Sequence, residues 1–204
     1  YLMKNIFVPL GMIDTSFYLD IEKKERFAPC YRWNIEKDSY EGLNENKNSK
    51  IKDIDFFNEP NCFSGGGGLL STISDYQKFG SELLNSKSGK SNLLISKDTA
   101  DLMMRNHLPN NLDMTELSKF KLSGEEYYKG VGYGLGGSIV IDSSLNQNNS
   151  FDGDFGWGGA ANTSFYISPF NEFSVVFMTQ VLESEETRRL NKDIRTIIQE
   201  SLIN

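Results

Sequence analysis

With 38% hydrophobic and 12% aromatic residues in 204, the chain has enough apolar side chains to bury a core, which excludes global disorder. Its 21 basic and 28 acidic residues give a net charge of −7, and no basic cluster is present to neutralise phosphates, which argues against nucleic-acid binding. No run approaches the roughly 18 apolar residues that a membrane span needs, so none is predicted.

The first elements along the chain are a helix and a polar insertion. Apolar residues recur at helical spacing in Tyr1–Leu10, and Gly11 is placed to end that helix in a left-handed conformation. Residues 41–56 are rich in Asn and Lys, which cannot build a core, and they predict a solvated insertion.

The metal-ligating residue types are scarce. Cys30 and Cys62 are too few for a disulfide scaffold, and we expect both to be buried small residues. With His107 as the one histidine, no spacing resembles a zinc or haem site. The sequence therefore predicts no metal and no other cofactor.

Two capped helices are predicted before residue 110. Thr72, followed three residues later by Asp75, is typical of an N-cap with an acidic first turn. The helix that follows is expected to bury an apolar stripe, namely Ile73, Tyr76, Phe79, Leu83 and Leu84. A second helix begins at Ser96 and carries His107 near its end. His107 is therefore predicted to cap the helix or join the core, and a role as a base is the less favoured alternative.

The glycine-rich segment 130–142 contains the spacing of a dinucleotide-binding fingerprint at Gly132, Gly134 and Gly137. That fingerprint needs a helix after its glycines, so that the pyrophosphate meets a helix N-terminus. Ser138–Ile141 is instead strand-like, and glycines 65–68 lack the Lys-Ser/Thr ending of a phosphate loop. Nucleotide binding is therefore rejected.

The second glycine-dense stretch, Gly153–Thr163, predicts a turn that leads into a strand at a site that a ligand approaches closely. Glycine lets a ligand approach the backbone closely, where N–H groups can stabilise a developing negative charge. The strands that follow, Ser164–Ser168 and Glu172–Thr179, predict a hairpin. The apolar content of the second strand predicts a central place in the sheet.

The C-terminal region completes the predicted fold class. Asp152 and Asp154 flank a glycine and are interpreted as turn residues whose side chains bind the local backbone. Residues 184–203 carry apolar side chains at helical spacing and predict a closing helix that packs on the sheet. The fold class predicted is α+β, with an antiparallel sheet flanked by the terminal helix.

Several segments carry a family likeness, and their order along the chain is more specific than any one of them. They are Pro9–Phe17, Arg26–Ala28 with Tyr31, Gly65–Thr72 with Asp75, Tyr76 and Phe79, Asn106–Pro109, Gly132–Gly136, Phe155–Ala160 and Phe177–Gln180. Together they resemble the serine beta-lactamase-like superfamily. The likeness is to the branch that includes class C beta-lactamases, D-alanyl-D-alanine peptidases and beta-lactamase-like esterases.

The resemblance implies a beta-lactamase/transpeptidase-like fold with three catalytic elements: a Ser-x-x-Lys, a Tyr-x-Asn or Tyr-x-Ser, and a Lys-Thr-Gly-like triplet. Trp157, Gly158 and Gly159 resemble the esterase-type Trp-Gly-Gly version of the triplet, and Ala160 would supply one N–H of the oxyanion hole. Because the triplet lysine is missing, a neutral ester or amide is the favoured substrate. The competing interpretation is a tight turn whose tryptophan fills a gap in the core.

The other two elements are matched only by short patterns. Ser49 with Lys52 and Ser118 with Lys121 fit Ser-x-x-Lys, but their polar surroundings cannot desolvate a lysine, and they follow rather than precede the Pro-Leu-Gly-Met segment. Tyr166–Ser168 fits the second element only within a predicted strand. We therefore expect the nucleophile to be absent from this chain, which would be the C-terminal part of a longer enzyme.

The predicted organisation is one incomplete domain, with residues 1–125 forming part of a helical domain and residues 126–204 the sheet strands and terminal helix. The predicted function is that of a serine hydrolase acting on an ester or amide through an acyl-enzyme, with this chain inactive alone. The alternative is a non-catalytic member that binds a ligand or partner. Expected partners are the small-molecule substrate and the missing N-terminal half of the protein or another copy of the chain. No compartment is predicted.

Overall fold

The computed structural model describes residues 1–43, 55–118, 127–182 and 190–203. These residues divide into two compact units, each assembled from separate stretches of chain. As far as they are described, the first unit comprises Tyr1–Phe79, Gly159–Thr163 and Phe177–Arg188, and the second comprises Gly80–Gly158, Ser164–Val176 and Arg189–Asn204. The boundary near residue 125 between helical and sheet portions stays a prediction.

The first unit opens with a helix that a glycine ends. A π-helical turn over Met3–Phe7 continues into α1, Val8–Leu10. Gly11 follows at φ +65°, a left-handed conformation that glycine adopts without strain. The predicted N-terminal helix and its glycine cap are confirmed. A 3-10 helix, Ile21–Arg26, comes next, and the Asp20 side chain caps it.

Helix α2, Ile73–Lys87, starts with the cap that the sequence predicts. The Thr72 hydroxyl accepts a hydrogen bond from the Asp75 N–H at 3.2 Å. Asp75 is buried, and its carboxylate accepts from the Asp14 N–H at 2.7 Å. The predicted apolar stripe is wrong at its first position, because Ile73 is 52% exposed. The first turn of α2 buries a hydrogen-bonded carboxylate instead.

A short hairpin in the first unit holds the chain that follows the last strand. Strand β1, Tyr31–Asn34, pairs antiparallel with β2, Ser39–Gly42. On its other side, the Tyr31 N–H donates to the Gln180 carbonyl at 2.7 Å, and its carbonyl accepts from the Leu182 N–H at 2.8 Å. The residues around position 181 are therefore bonded to β1 through their backbone.

The five-stranded antiparallel sheet has the order β3-β4-β5-β6-β7. Its strands are β3, Val131–Tyr133; β4, Ser138–Val140; β5, Phe155–Gly159; β6, Thr163–Ser168; and β7, Phe173–Phe177. The terminal helix α5 spans Leu190–Ile203. The predicted α+β class is confirmed, and so is the prediction that a strand, not a helix, follows the glycines of the fingerprint-like segment.

The position of β7 corrects one prediction. It stands at the end of the strand order rather than at the centre, within the residues that the structure describes. All five of its residues, Phe173–Phe177, are half-buried. An apolar run indicates that both faces of a strand are covered. It does not indicate how many other strands pair with its edges.

Short helices precede the sheet in the second unit: α3, Lys97–Met103, a 3-10 turn, Pro109–Asn111, and α4, Met114–Leu117. The Ser96 hydroxyl caps α3 by accepting from the Thr99 N–H, as predicted. The Asp113 carboxylate caps α4 and also accepts from the Gly130 N–H at 2.8 Å. That carboxylate therefore fixes the start of β3 to the end of the helical segment.

Helix α5 is fastened to the sheet by one arginine. The Arg195 guanidinium lies 3.6 Å from the centre of the Tyr166 ring and 3.1 Å from a carboxylate oxygen of Asp154. Asp154 accepts from the Phe151 N–H, as a turn residue would, but it is also buried and ion-paired, which the turn interpretation missed. Burial raises its pKa, and contacts with Ser168 and Arg195 oppose that rise.

Contrary to the prediction, neither cysteine is buried. Cys30 is half-buried and Cys62 is exposed in an irregular segment, so their small apolar side chains do not contribute to a core. Within the described ranges, no group of three or more His, Cys, Asp or Glu residues is placed to hold a metal ion. The helices of those ranges are all too short or too polar to span a bilayer.

Candidate active site

Strand β5 carries the Trp-Gly-Gly triplet at its exposed end. Phe155 and Gly156, at the start of the strand, are buried, whereas Trp157–Gly159 are exposed. Ala160, which follows, is exposed at the beginning of the turn to β6. Trp157 itself is 48% exposed, so it does not fill a gap in the core as the competing interpretation requires. The triplet is accessible from solvent.

The neighbouring strand β4 begins opposite Gly156 and does not extend alongside the triplet. Its described pairing with β5 consists of Ser138 opposite Gly156 and Ile139 opposite Phe155. Immediately before Ser138 the chain turns back, and the Gly134 N–H donates to the Gly137 carbonyl at 2.8 Å. Within the described residues, Trp157–Gly159 therefore extend past the last registered pair of β4.

The direction of the backbone groups follows from the alternation of an antiparallel strand. The Asp154 carbonyl accepts from the Val140 N–H at 2.9 Å, and the Gly156 carbonyl accepts from the Ser138 hydroxyl at 2.9 Å, so both face β4. Successive residues alternate between the two edges, so Gly158 faces the β4 side as well. The strand thus directs polar backbone of Gly158 to an edge that β4 leaves uncovered.

An aromatic pair borders this edge. The Tyr133 and Trp157 rings meet edge to face, with centroids 5.3 Å apart. Tyr133, at the end of β3, is held by two backbone bonds: its N–H donates to the Asn106 side chain at 3.1 Å, and its carbonyl accepts from the His107 N–H at 2.8 Å. The loop after α3 therefore fixes the position of the tyrosine beside the triplet.

Two side chains brace the turn after β5, and sequence reasoning missed both roles. Asn162 is buried at φ +52°, and its amide donates to the Val181 carbonyl at 2.9 Å. The Thr179 hydroxyl donates to the Ala161 carbonyl at 2.6 Å. Asn is favoured over most residues in a left-handed turn, which is the one local signal that could have singled out position 162.

His107 lies beyond the end of the observed helix, although the sequence predicts it within that helix. Helix α3 ends at Met103, four residues earlier, because the chain leaves helical geometry at Met104. The exposed His107 ring places Nε2 2.7 Å from the Leu102 carbonyl, near the helix C-terminus. The capping interpretation fits this geometry, whereas a place in the core does not.

The short patterns that imitate the other catalytic elements fall largely outside the described residues or within a buried strand. Ser49 and Lys52 lie outside the described residues, and so does Lys121, while Ser118 follows α4. Tyr166–Ser168 lie in β6 and are all buried. Burial raises the pKa of Tyr166, which disfavours the phenolate form that a general base would need.

The sequence was also compared with known protein families. A family model described as Beta-lactamase matches residues 1–199. The chain belongs to this family. The suspected relation to the serine beta-lactamase-like superfamily is thereby confirmed.

Among curated members, Rv1367c of Mycobacterium tuberculosis is 26% identical over 175 residues, which cover 84% of this chain and 40% of that protein. The monacolin J acid methylbutanoyltransferase of Aspergillus terreus is 26% identical over 178 residues, with coverages of 83% and 40%. The chain thus spans 40% of the length of these curated relatives.

Solved structures agree on the beta-lactamase-like fold. The simvastatin synthase LovD from Aspergillus terreus superposes with a TM-score of 0.78 at 24% identity, over 98% of this chain and 50% of LovD. EstCE1, a hydrolase with promiscuous acyltransferase activity, superposes at 0.73 with 20% identity, over 97% of this chain and 49% of its own length. The chain therefore corresponds to about half of each of these folds.

Proposed function

We propose that this chain supplies the oxyanion-hole strand of a serine acyl-transfer enzyme, and that the serine nucleophile belongs to sequence outside these 204 residues. The observation that carries the proposal is the exposed end of β5, where Trp157–Gly159 extend beyond the pairing with β4. Backbone N–H groups at such an edge are held by the sheet and need no reorganisation when charge develops on a substrate.

In the proposed reaction, a serine oxygen attacks the carbonyl carbon of an ester or amide. The carbonyl π electrons move to oxygen, and the resulting oxyanion accepts a hydrogen bond from the N–H of Ala160. Ala160 lies two residues after Gly158, immediately past the end of β5, and is proposed to continue the alternation of Gly156 and Gly158, with its N–H at the uncovered edge. Collapse of this intermediate expels the alcohol or amine with a proton and leaves an acyl-enzyme.

Substrate choice is proposed to follow from the aromatic pair. Trp157 stands where the family triplet carries a lysine, and its indole, with Tyr133, presents apolar surface instead of a cation. Such a surface favours a neutral acyl group over one that bears a carboxylate. A relative named as a methylbutanoyltransferase supports a small aliphatic acyl group and transfer to an acceptor other than water.

The remaining half of the fold is proposed to come from the same protein. Strand β7 stands at the end of the described strand order, and a sheet edge in a native protein is ordinarily protected, for example by a further strand. Coverage of about half of LovD supports further sequence of the protein as its neighbour. A second copy of this chain is the alternative occupant.

The proposed function is tested by removing one N–H. In the full-length protein, Ala160→Pro deletes the donor, and we expect kcat for a nitrophenyl ester to fall by about 100-fold or more. Ala160→Ser keeps the N–H and is the matched control, which should retain most of the activity. Melting temperatures of both variants are compared, so that loss of folding is separated from loss of catalysis.

A second measurement needs no substitution. An alkylboronic acid forms a tetrahedral adduct with a catalytic serine, and we expect the Ala160 amide proton to shift downfield when it binds. A serine-directed phosphonate should label the full-length protein and leave the 204-residue chain unlabelled. Full activity in Ala160→Pro, or labelling of Ser49 or Ser118 in the short chain, would overturn the proposal. If the full-length protein does not bind the boronic acid, the non-catalytic alternative is favoured.

A further inference from the structure

The turn that carries Ala160 places a buried side chain in a left-handed backbone conformation. Asn162 adopts φ +52°, which asparagine tolerates better than most L-residues. Its side chain is 2% exposed, although amides are ordinarily found at the surface. A buried amide in a left-handed turn indicates that the conformation of this turn is fixed from outside the turn itself.

The fixing comes from residues 179–182, here called the strap. Asn162 donates its amide to the Val181 carbonyl at 2.9 Å, and Thr179 donates its hydroxyl to the Ala161 carbonyl at 2.6 Å. The two bonds run in opposite directions, one from the turn to the strap and one from the strap to the turn. They therefore restrain both the position and the tilt of the turn.

The strap is itself anchored. Tyr31 of strand β1 bonds to the strap on both sides of Val181, through its N–H to Gln180 and through its carbonyl to Leu182. Thr179 and Val181 are half-buried, so their bonds to the turn compete with water less than surface bonds do. The turn is thus tied to a segment that β1 holds in place.

We propose that Thr179 and Asn162 are positioning residues that hold the Ala160 N–H at the oxyanion. The inference rests on the proposed function, because it assigns these side chains to the same donor. An oxyanion donor stabilises charge only while it is held within a few tenths of an ångström, and the next two residues of the turn carry the bonds that hold it.

The test separates the hydrogen bonds of the Thr179 hydroxyl and the Asn162 amide from the space that these side chains fill. Thr179→Val removes the hydroxyl and keeps the side-chain volume, whereas Thr179→Ser keeps the hydroxyl and is expected to restore most of the activity. Asn162→Gly removes the amide and still accepts a positive φ without strain. In full-length protein, we expect Thr179→Val and Asn162→Gly each to lower kcat by about ten-fold, with KM changed by less than about two-fold.

A matched control and a second readout distinguish positioning from general stability. Thr196→Val removes a hydroxyl that donates to the Lys192 carbonyl at 2.9 Å and accepts from the Asn149 side-chain amide at 2.7 Å, and it should leave kcat unchanged. The NMR order parameters of the Ala160 and Ala161 backbone amides are expected to fall in Thr179→Val and to stay unchanged in Thr196→Val. They are measured on the folded protein without substrate.

The possible results point to different conclusions. Lower kcat together with lower order parameters at Ala160 supports positioning. Unchanged kcat in Thr179→Val and Asn162→Gly overturns the inference, while a large loss in Ala160→Pro would still support the proposed function. Unchanged kcat in Ala160→Pro overturns the proposed function and this inference with it.

Discussion

Two glycine-rich regions of this chain look alike in sequence, but they differ in how closely other atoms approach their glycines. In the run Gly65–Gly68, a Cβ added at any of the first three positions would meet nothing within 4 Å. In the sheet, a Cβ at Gly156 would lie 2.1 Å from the Phe165 carbonyl oxygen, and one at Gly130 would lie 2.1 Å from that of Asp142. The longer run is the less constrained one.

The difference teaches that a glycine is required where another backbone approaches it, whatever the number of glycines beside it. The Gly156 position lies opposite the β6 backbone and next to the triplet, so its missing side chain lets two strands come close where the candidate site begins. The four-glycine run draws attention in the sequence, yet most of its glycines face open space.

The largest expected effect comes from filling the crowded position. Gly156→Ala would place a methyl group 2.1 Å from a backbone oxygen and 2.7 Å from the Tyr166 Cα, neither of which can rotate away. The strands must separate, so we expect the free energy of unfolding to fall by about 4 kcal/mol. Urea denaturation followed by circular dichroism measures the change, and a loss below about 1 kcal/mol would contradict the close approach.

The crowded region also buries a charge, which gives the next largest effect. Arg195→Met leaves the buried Asp154 carboxylate without its cation, and we expect a loss of about 3 kcal/mol at neutral pH. Burial already raises the folded-state pKa of Asp154, so its favourable contribution is present below its ordinary pKa and is lost as pH rises through the raised value. Without Arg195 the destabilisation at neutral pH is larger, and the free energy of unfolding of the variant should rise again as pH falls.

The control for this charge effect is a second substitution in the same background. Asp154→Asn added to Arg195→Met removes the unpaired charge, so it should restore much of the stability at neutral pH and remove the pH dependence. Exposed Arg105 offers a matched Arg→Met change with little expected effect. If the Arg195→Met loss were equal at neutral and acid pH, packing against Tyr166 rather than charge would be its cause.

Features that depend on neighbours in sequence were predictable. Three helix caps were predicted from residues within four positions of the helix end, and all three are present: Gly11, Thr72 and Ser96. Such features need no knowledge of which distant strands pair. The local glycine pattern, by contrast, predicts a turn at Trp157 and its glycines, and only the family resemblance places them on a strand, as they are in β5.

Features that depend on distant contacts were not predictable. The edge position of β7 and the early end of β4 are decided by strand pairing. Thr179 meets Ala161 across 18 residues, and Arg195 meets Asp154 across 41, without any periodicity that links the members of each pair. An ion pair or a side-chain bond of that separation has no signature in a single sequence, since any Thr or Arg has the same local appearance.

The smallest expected effect lies within the open glycine run and sharpens the comparison most. Gly66→Ala meets no atom within 4 Å, and Gly66 lacks the positive φ that would strain an alanine. Alanine restricts the unfolded chain, so the free energy of unfolding should stay constant or rise by up to about 1 kcal/mol. Gly68→Ala, two residues on, would bring a Cβ to 2.8 Å from the Ser64 carbonyl oxygen and should be destabilising. Urea titration of both variants decides the matter: equal losses at the two positions would show that the run as a whole is needed, and that proximity to backbone is not what distinguishes these glycines.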